Sequence, residues 1–221
     1  MSIRFGTDGV RGVANVQITS EVALAIGRAT ARVFSGAPRI VIGRDTRRSG
    51  SMLEAAVAAG ISAEGADAVL LGVVPTPAVA VVAARDAAPG VVISASHNPF
   101  GDNGIKVFGP GGSKLTDAEQ DAVESEIDAV LDGAAASASG GSVGEVRVDP
   151  GALEAYAAAV VATLEGRDLA GMRIVVDCAN GANSVVAPEV LTSLGAEVIV
   201  LSAEHDGTNI NAYCGSTHPR S

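Results

Sequence analysis

Apolar runs and polar, small-residue breaks alternate along this chain. Five short runs, "RIVIG" (39–43), "DAVLLG" (67–72), "GVVISA" (90–95), "RIVVDC" (173–178) and "AEVIVLS" (196–202), read as buried strands. Between them stand "SEVALAIGRATARVF", "SMLEAAVAAGISAEG", "TPAVAVVAARDA" and "SVVAPEVLTSLG", which read as helices. Strand and helix in alternation, with short joins, predict right-handed crossovers. The fold class is therefore α/β, with mixed, largely parallel sheets sandwiched by helices.

One more helix is predicted over 116–133. Thr116 and Glu119 form its capping box, and Ala122, Val123, Ile127, Val130 and Leu131 share its apolar face. The stretch that follows, "GAAASASGGSVGEVRVDP" (133–150), is rich in Gly, Ser and Ala and reads as a linker or flexible loop. Asp149-Pro150 reads as an N-cap with proline at the first helical position. The expected division lies in this linker, with a first domain over 1–140 and a second over 141–221.

Composition narrows the function. Aromatics are 3% of the 221 residues and tryptophan is absent, so the core must be aliphatic. A net charge of −10 argues against a nucleic-acid or anionic-membrane surface, which needs a basic face. There is no long uncharged apolar run and no basic-then-apolar leader, so the expected compartment is the cytoplasm. Cys178 and Cys214 lie outside any C-x-x-C pattern and read as reduced thiols.

In open α/β sheets, ligands sit beyond the carboxyl ends of the strands. The segments there are "RDTRRSG", "VVPTPA" and "SHNPFGDNG", and the opening "RFGTDGVRG" is expected to join them. Arg4, Arg11, Arg44, Arg47, Arg48 and the chain's two lysines, Lys106 and Lys114, all fall in or just after these segments. Such clustering in an acidic chain points to an anionic ligand, since guanidinium forks match phosphate or carboxylate; the alternative is a set of solvated loop charges.

Ser96 admits three readings. As a hydrolase nucleophile it lacks the G-x-S-x-G elbow, and its neighbour His97 is poorly placed to bond it. As a phosphoryl carrier it would find turn amides, His97, Asn98, Lys106 and nearby arginines to hold the added charge. As a turn residue, Ser94 and Ser96 would cap the chain reversal while His97 bonds backbone. No P-loop motif occurs.

Four segments carry a resemblance: "FGTDGVRG" (5–12), "GRDTRRSG" (43–50), "PTPAVA" (75–80) and "ISASHNPFGDNGIKVFGPGGSKL" (93–115). With "VDCANGAN" (176–183) and "NINAYCGSTHP" (209–219), they resemble the amino-terminal part of the α-D-phosphohexomutase superfamily. The opening segment is most similar to its phosphoglucosamine mutase branch rather than to the phosphomannomutase or phosphoglucomutase branches. The resemblance implies an enzyme that interconverts glucosamine 6-phosphate and glucosamine 1-phosphate through a phosphoserine and a bisphosphate, feeding UDP-N-acetylglucosamine and cell-wall synthesis. On the same grounds Ser96 is the phosphoserine and also a ligand of Mg²⁺. His97 and Lys106 would assist proton transfer and hold phosphate, and Arg11 and Arg44 would steady the transferring charge. A phosphorylated amino sugar and a second copy of the chain are the partners it implies.

The family's D-G-D-x-D metal loop, its sugar-specificity loop and its carboxy-terminal phosphate loop do not occur between residues 1 and 221. The expectation is thus one complete family domain and part of a second, without the third and fourth. Unit charges 4 Å apart at a dielectric near 20 interact by about 4 kcal/mol. Without its metal ligands, the stretch alone is expected to be inactive or nearly so.

Overall fold

The structure is a computed structural model, and it describes residues 4–6 and 9–218. Its first sheet has six strands: β1 (Val10–Val13), β2 (Arg39–Arg44), β3 (Asp67–Val73), β4 (Gly90–Ile93), β5 (Asp102–Phe108) and β6 (Val146–Val148). Their order is β1-β5-β4-β2-β3-β6. The pairs β4·β2, β2·β3 and β3·β6 are parallel, whereas β1·β5 and β5·β4 are antiparallel. A second, two-stranded parallel sheet joins β7 (Arg173–Asp177) to β8 (Glu197–Leu201).

Side chains alternate across a strand, and the first sheet uses both faces. Ile40, Ile42, Val91, Ile93, Ile105 and Val107 pack against α1 (Ser20–Val33), α2 (Gly50–Ala63) and α4 (Asp117–Leu131). Val41, Val92 and Phe108 face α3 (Thr76–Asp86) and Ala152, the first residue of α5 (Ala152–Ala162). With helices on both faces, β4 is buried at all four positions. Helix α1 lies tightly on α2, because a Cβ at Gly27 would strike the Val57 carbonyl and one at Gly60 the Leu24 carbonyl.

The strand–helix alternation and the mixed, largely parallel sheet follow the sequence reading. Both bonds of the Thr116/Glu119 capping box are present. Leu131 is exposed, however, and Glu124 takes a buried place on that helix by accepting from the Phe5 amide at 2.7 Å. An amphipathic pattern could not show a carboxylate buried for a backbone donor.

The 133–150 stretch is not a free linker. It contains β6, which pairs with β3 and carries the first sheet to Val148, past the expected division. Arg147 fastens it to Asp67 at 3.3 Å. Nor does Asp149 cap α5: its Oδ1 accepts from Gly151 N at 2.9 Å, and Gly151 is the N-cap. Strand 90–95 ends at Ile93, and Asp102–Gly104, the end of the segment read as loop, open a strand that runs to Phe108.

Candidate functional site

The parallel strands β2, β3 and β4 end on the same side of the sheet. The segments that follow them, around Asp45, Val74–Pro77 and Ser94–Ser96, form one wall of a cleft of about 240 Å³. The other wall comes from Gly181, Ala182, Asn183, Ile210 and Asn211. The opening segment divides: Phe5, Gly6 and Gly9 line a separate small hollow with Lys106 and Lys114, Arg11 lies on the Ser94 side, next to Gly104, and Thr7 and Asp8 lie outside the described residues.

Ser96 is exposed in the cleft and has a left-handed backbone, φ 54°. Its amide donates to Ser94 Oγ at 3.0 Å, and that hydroxyl donates to Asp45 Oδ2 at 2.6 Å. Asp45 in turn forms an ion pair with Arg47 Nε at 3.1 Å and accepts from the Arg47 amide at 3.0 Å. Arg47 is fully buried and donates to the carbonyls of Ser96, Asn98 and Pro99 at 2.9–3.1 Å. Burial draws the pKa of its guanidinium below the ordinary value, against the pull of Asp45. From the far wall, Asn211 Nδ2 reaches the same Ser96 and Asn98 carbonyls, each at 2.9 Å.

The expected site residues are spread around this cleft. His97 is exposed and faces a neighbouring hollow of about 250 Å³ with Phe100, Thr217 and His218. No Ser96–His97 side-chain bond occurs among the described residues, which leaves a hydrolase dyad without its geometry. Arg11 lies on β1 opposite Gly104, and a Cβ at Gly104 would meet the Arg11 side chain and the Ser94 carbonyl. Lys106, on β5, holds its ammonium 5.3 Å from the Phe108 ring centroid. Arg44 pairs with buried Glu54 at 3.0 Å.

Two expected anion ligands are engaged elsewhere. Arg47 binds carbonyls from inside the fold, and Arg4 pairs with Glu124 and Asp128 at 3.4 and 3.2 Å. Clustering in sequence could not separate an arginine that braces a loop from one that meets a ligand. Sequence reasoning also missed Asp45 and Asn211, whereas Ser94, expected as a cap of the reversal, does accept from the Ser96 amide. Asn211 carried one signal, since asparagine tolerates the left-handed φ of 59° that it adopts.

Among the described residues no group of three or more His, Cys, Asp or Glu could hold a metal ion. Cys178 and Cys214 are free and buried. No helix among the described residues is long and apolar enough to cross a membrane.

Residues 2–132 match the family model for phosphoglucomutase/phosphomannomutase, alpha/beta/alpha domain I. The chain is 54% identical over 223 residues to a phosphoglucosamine mutase of Desulforudis audaxviator, covering 99% of this chain and 49% of that protein. It is 52% identical over 220 residues to the phosphoglucosamine mutase of Mycobacterium tuberculosis H37Rv, covering 97% and 49%. A solved phosphoglucomutase/phosphomannomutase family protein of Burkholderia thailandensis superposes with a TM-score of 0.78 at 28% identity, over 92% of this chain and 44% of that one. The chain thus spans about half the length of the curated relatives it matches.

Proposed function

This chain belongs to the phosphoglucomutase/phosphomannomutase family, and on that premise we propose that it is the phosphoryl-carrying part of a phosphoglucosamine mutase. The observation that carries the reading is Ser96: exposed in a cleft, held in a left-handed backbone, with its carbonyl tied from both walls. Identity above 50% to two proteins named phosphoglucosamine mutase supports the sugar class.

In the proposed reaction the phosphorus of phospho-Ser96 is attacked by O1 of glucosamine 6-phosphate. The P–O bond to Ser96 breaks, the sugar hydroxyl gives up its proton, and a 1,6-bisphosphate results. After the sugar turns over, Ser96 Oγ attacks the 6-phosphate, and the departing O6 takes a proton as glucosamine 1-phosphate leaves. His97 and Lys106 are proposed to move or stabilise these protons and charges, with Arg11 and Arg44 steadying the transferring group. Such groups matter most where charge develops, so their removal should lower kcat more than it raises KM. Release of Arg44 from Glu54 is part of its proposed role.

Mg²⁺ is the proposed metal, with the phosphate on Ser96 as its proposed ligand. The cytoplasm is the proposed location, and a second copy of the chain the proposed partner.

The test is Ser96→Ala in the native protein, assayed for bound phosphate and for glucosamine 6-phosphate turnover. Loss of the phosphopeptide with a fall of about a thousandfold or more in kcat is expected. Full turnover without a phosphate on this peptide would overturn the proposal. The match to the family model leaves mannose or glucose phosphates as the second reading. A higher kcat/KM for mannose 6-phosphate or glucose 6-phosphate would replace the first.

A further inference from the structure

The carbonyl oxygens of Ser96 and Asn98 each accept two hydrogen bonds. One comes from Arg47 Nη2, at 3.0 and 2.9 Å, and the other from Asn211 Nδ2, at 2.9 Å in both cases. A carbonyl oxygen has two lone pairs, so these two donors fill both acceptors. The contact also fixes how the amide of Asn211 is turned, because reversal would set its oxygen against two carbonyl oxygens.

The two donors come from different parts of the fold. Arg47 is buried beside its own ion-pair partner, in the loop after β2. Asn211 lies 115 residues beyond Ser96, in a loop anchored by its amide on the Ala179 carbonyl. Two other ties hold that region to the first sheet's loops: Thr46 Oγ1 to the Asn180 carbonyl at 2.7 Å, and the Arg48 amide to the Gly207 carbonyl at 2.8 Å.

Ser96 needs such support. A left-handed backbone at a residue other than glycine persists only where its surroundings impose it. Ser94 Oγ takes the Ser96 amide on one side of the residue, and the double clamp takes the carbonyl on the other. Peptide planarity then sets the His97 N–H, which points opposite to the Ser96 carbonyl.

We propose that Asn211 is a positioning residue for phosphoryl transfer, its amide completing the clamp on the Ser96 loop so that Ser96 is held in place only while the two walls of the cleft are docked. The proposal rests on the reading of Ser96 as the phosphoryl carrier. Asn211 touches no reacting atom in it. Separation of the walls withdraws half of the clamp and leaves Arg47 as the remaining donor of the clamp.

The test is Asn211→Asp in the native protein, which keeps the size and the tolerance for a left-handed φ but sets a carboxylate against two carbonyl oxygens. Hydrogen exchange at the amides of Ser96, His97 and Asn98 should quicken by about tenfold or more. kcat should fall by about tenfold or more, with KM for glucosamine 6-phosphate within about twofold. Asn211→Gly removes the donor without adding repulsion and should give a smaller shift in the same direction. Unchanged exchange and kcat in both variants would overturn the proposal. A lowered melting temperature with unchanged loop exchange would also overturn it, by making Asn211 merely structural. If the exchange quickens but the unsubstituted protein never carries phosphate on Ser96, the carrier reading fails along with the catalytic role of Asn211, and only the clamp survives.

Discussion

The two sheets are built on opposite terms. In the first, β2 and β4 lie under helices on both faces, and Val41, Ile42, Val91 and Ile93 are wholly shielded from water. In the second, Val175 is 60% exposed and Leu201 48%. The loops around the second sheet lean more on polar bonds: Gly215 N to Asp177 Oδ2, Asn180 Nδ2 to the Asn209 carbonyl, and Thr208 N to Asp206 Oδ1. Ser96 therefore stands on a packed scaffold, whereas the opposite wall combines a few buried side chains, Cys178, Ala182, Ile210 and Cys214, with hydrogen bonds. Packing resists continuous deformation, while a wall held by a few bonds can detach as a unit.

The largest effect expected from breaking this contrast is at Arg47, where the scaffold and the site loop share one side chain. Arg47→Met removes the charge that faces Asp45 and three carbonyl bonds at once. Deleting one partner of a buried pair costs about 3–5 kcal/mol. A urea midpoint should fall accordingly. A loss below about 1 kcal/mol would mean that the pair is not what secures the loop.

The helical layer is the next place to press. Gly60→Ala puts a methyl group against the Leu24 carbonyl and the Arg28 amide, so α1 and α2 must separate. Overpacking of this kind costs about 1–3 kcal/mol. Thermal unfolding should show the loss. Gly171→Ala in the second region meets no atom within 4 Å and should show only the strain of its φ of +78°.

How much of this was legible follows from the same contrast. Buried strands announce themselves as unbroken apolar runs, so β2, β3 and β4 were readable to within two residues. Strand β6 was hidden because its three residues are all exposed and sit in a Gly/Ser-rich stretch. Strand β5 was hidden by its own turn-like start, Asp102-Asn103-Gly104, where Asn103 is fully buried and donates to Ser49 Oγ at 2.9 Å. At the site, the residue type and motif singled out Ser96. Asn211 could not be assigned, since its partners are backbone carbonyls and any residue at positions 96 and 98 offers those.

Acid should loosen the first region through Glu64. Its side chain is 1% exposed and faces Arg28 and Arg32, linking the end of α2 to α1, and it also accepts from the Ser137 amide at 3.1 Å. Burial alone would raise its pKa, but the Ser137 amide and the guanidinium groups of Arg32 and Arg28 outweigh it, and the net shift is downward. A depressed carboxyl binds fewer protons folded than unfolded, so its stabilisation is present above the unfolded value of about 4.3 and is lost as pH falls through the folded value. Wild type should exceed Glu64→Gln in stability at neutral pH, and the gap should close as pH drops below about 5. A gap independent of pH would assign the effect to shape rather than charge.

The smallest effect is expected where the second sheet faces water. Val175→Thr replaces a methyl by a hydroxyl on a side chain that is 60% exposed, and both residues suit a strand. The hydroxyl keeps its water, so the change should stay within about 0.5 kcal/mol in a denaturant titration. Its value lies in the alternative outcome. If the native protein loses about 1 kcal/mol or more, Val175 must be shielded there, because an exposed hydroxyl has no desolvation to suffer. The contrast between the sheets would then belong to this stretch of chain alone, and the wall bearing Asn211 would rest on packing as firmly as the wall bearing Ser96.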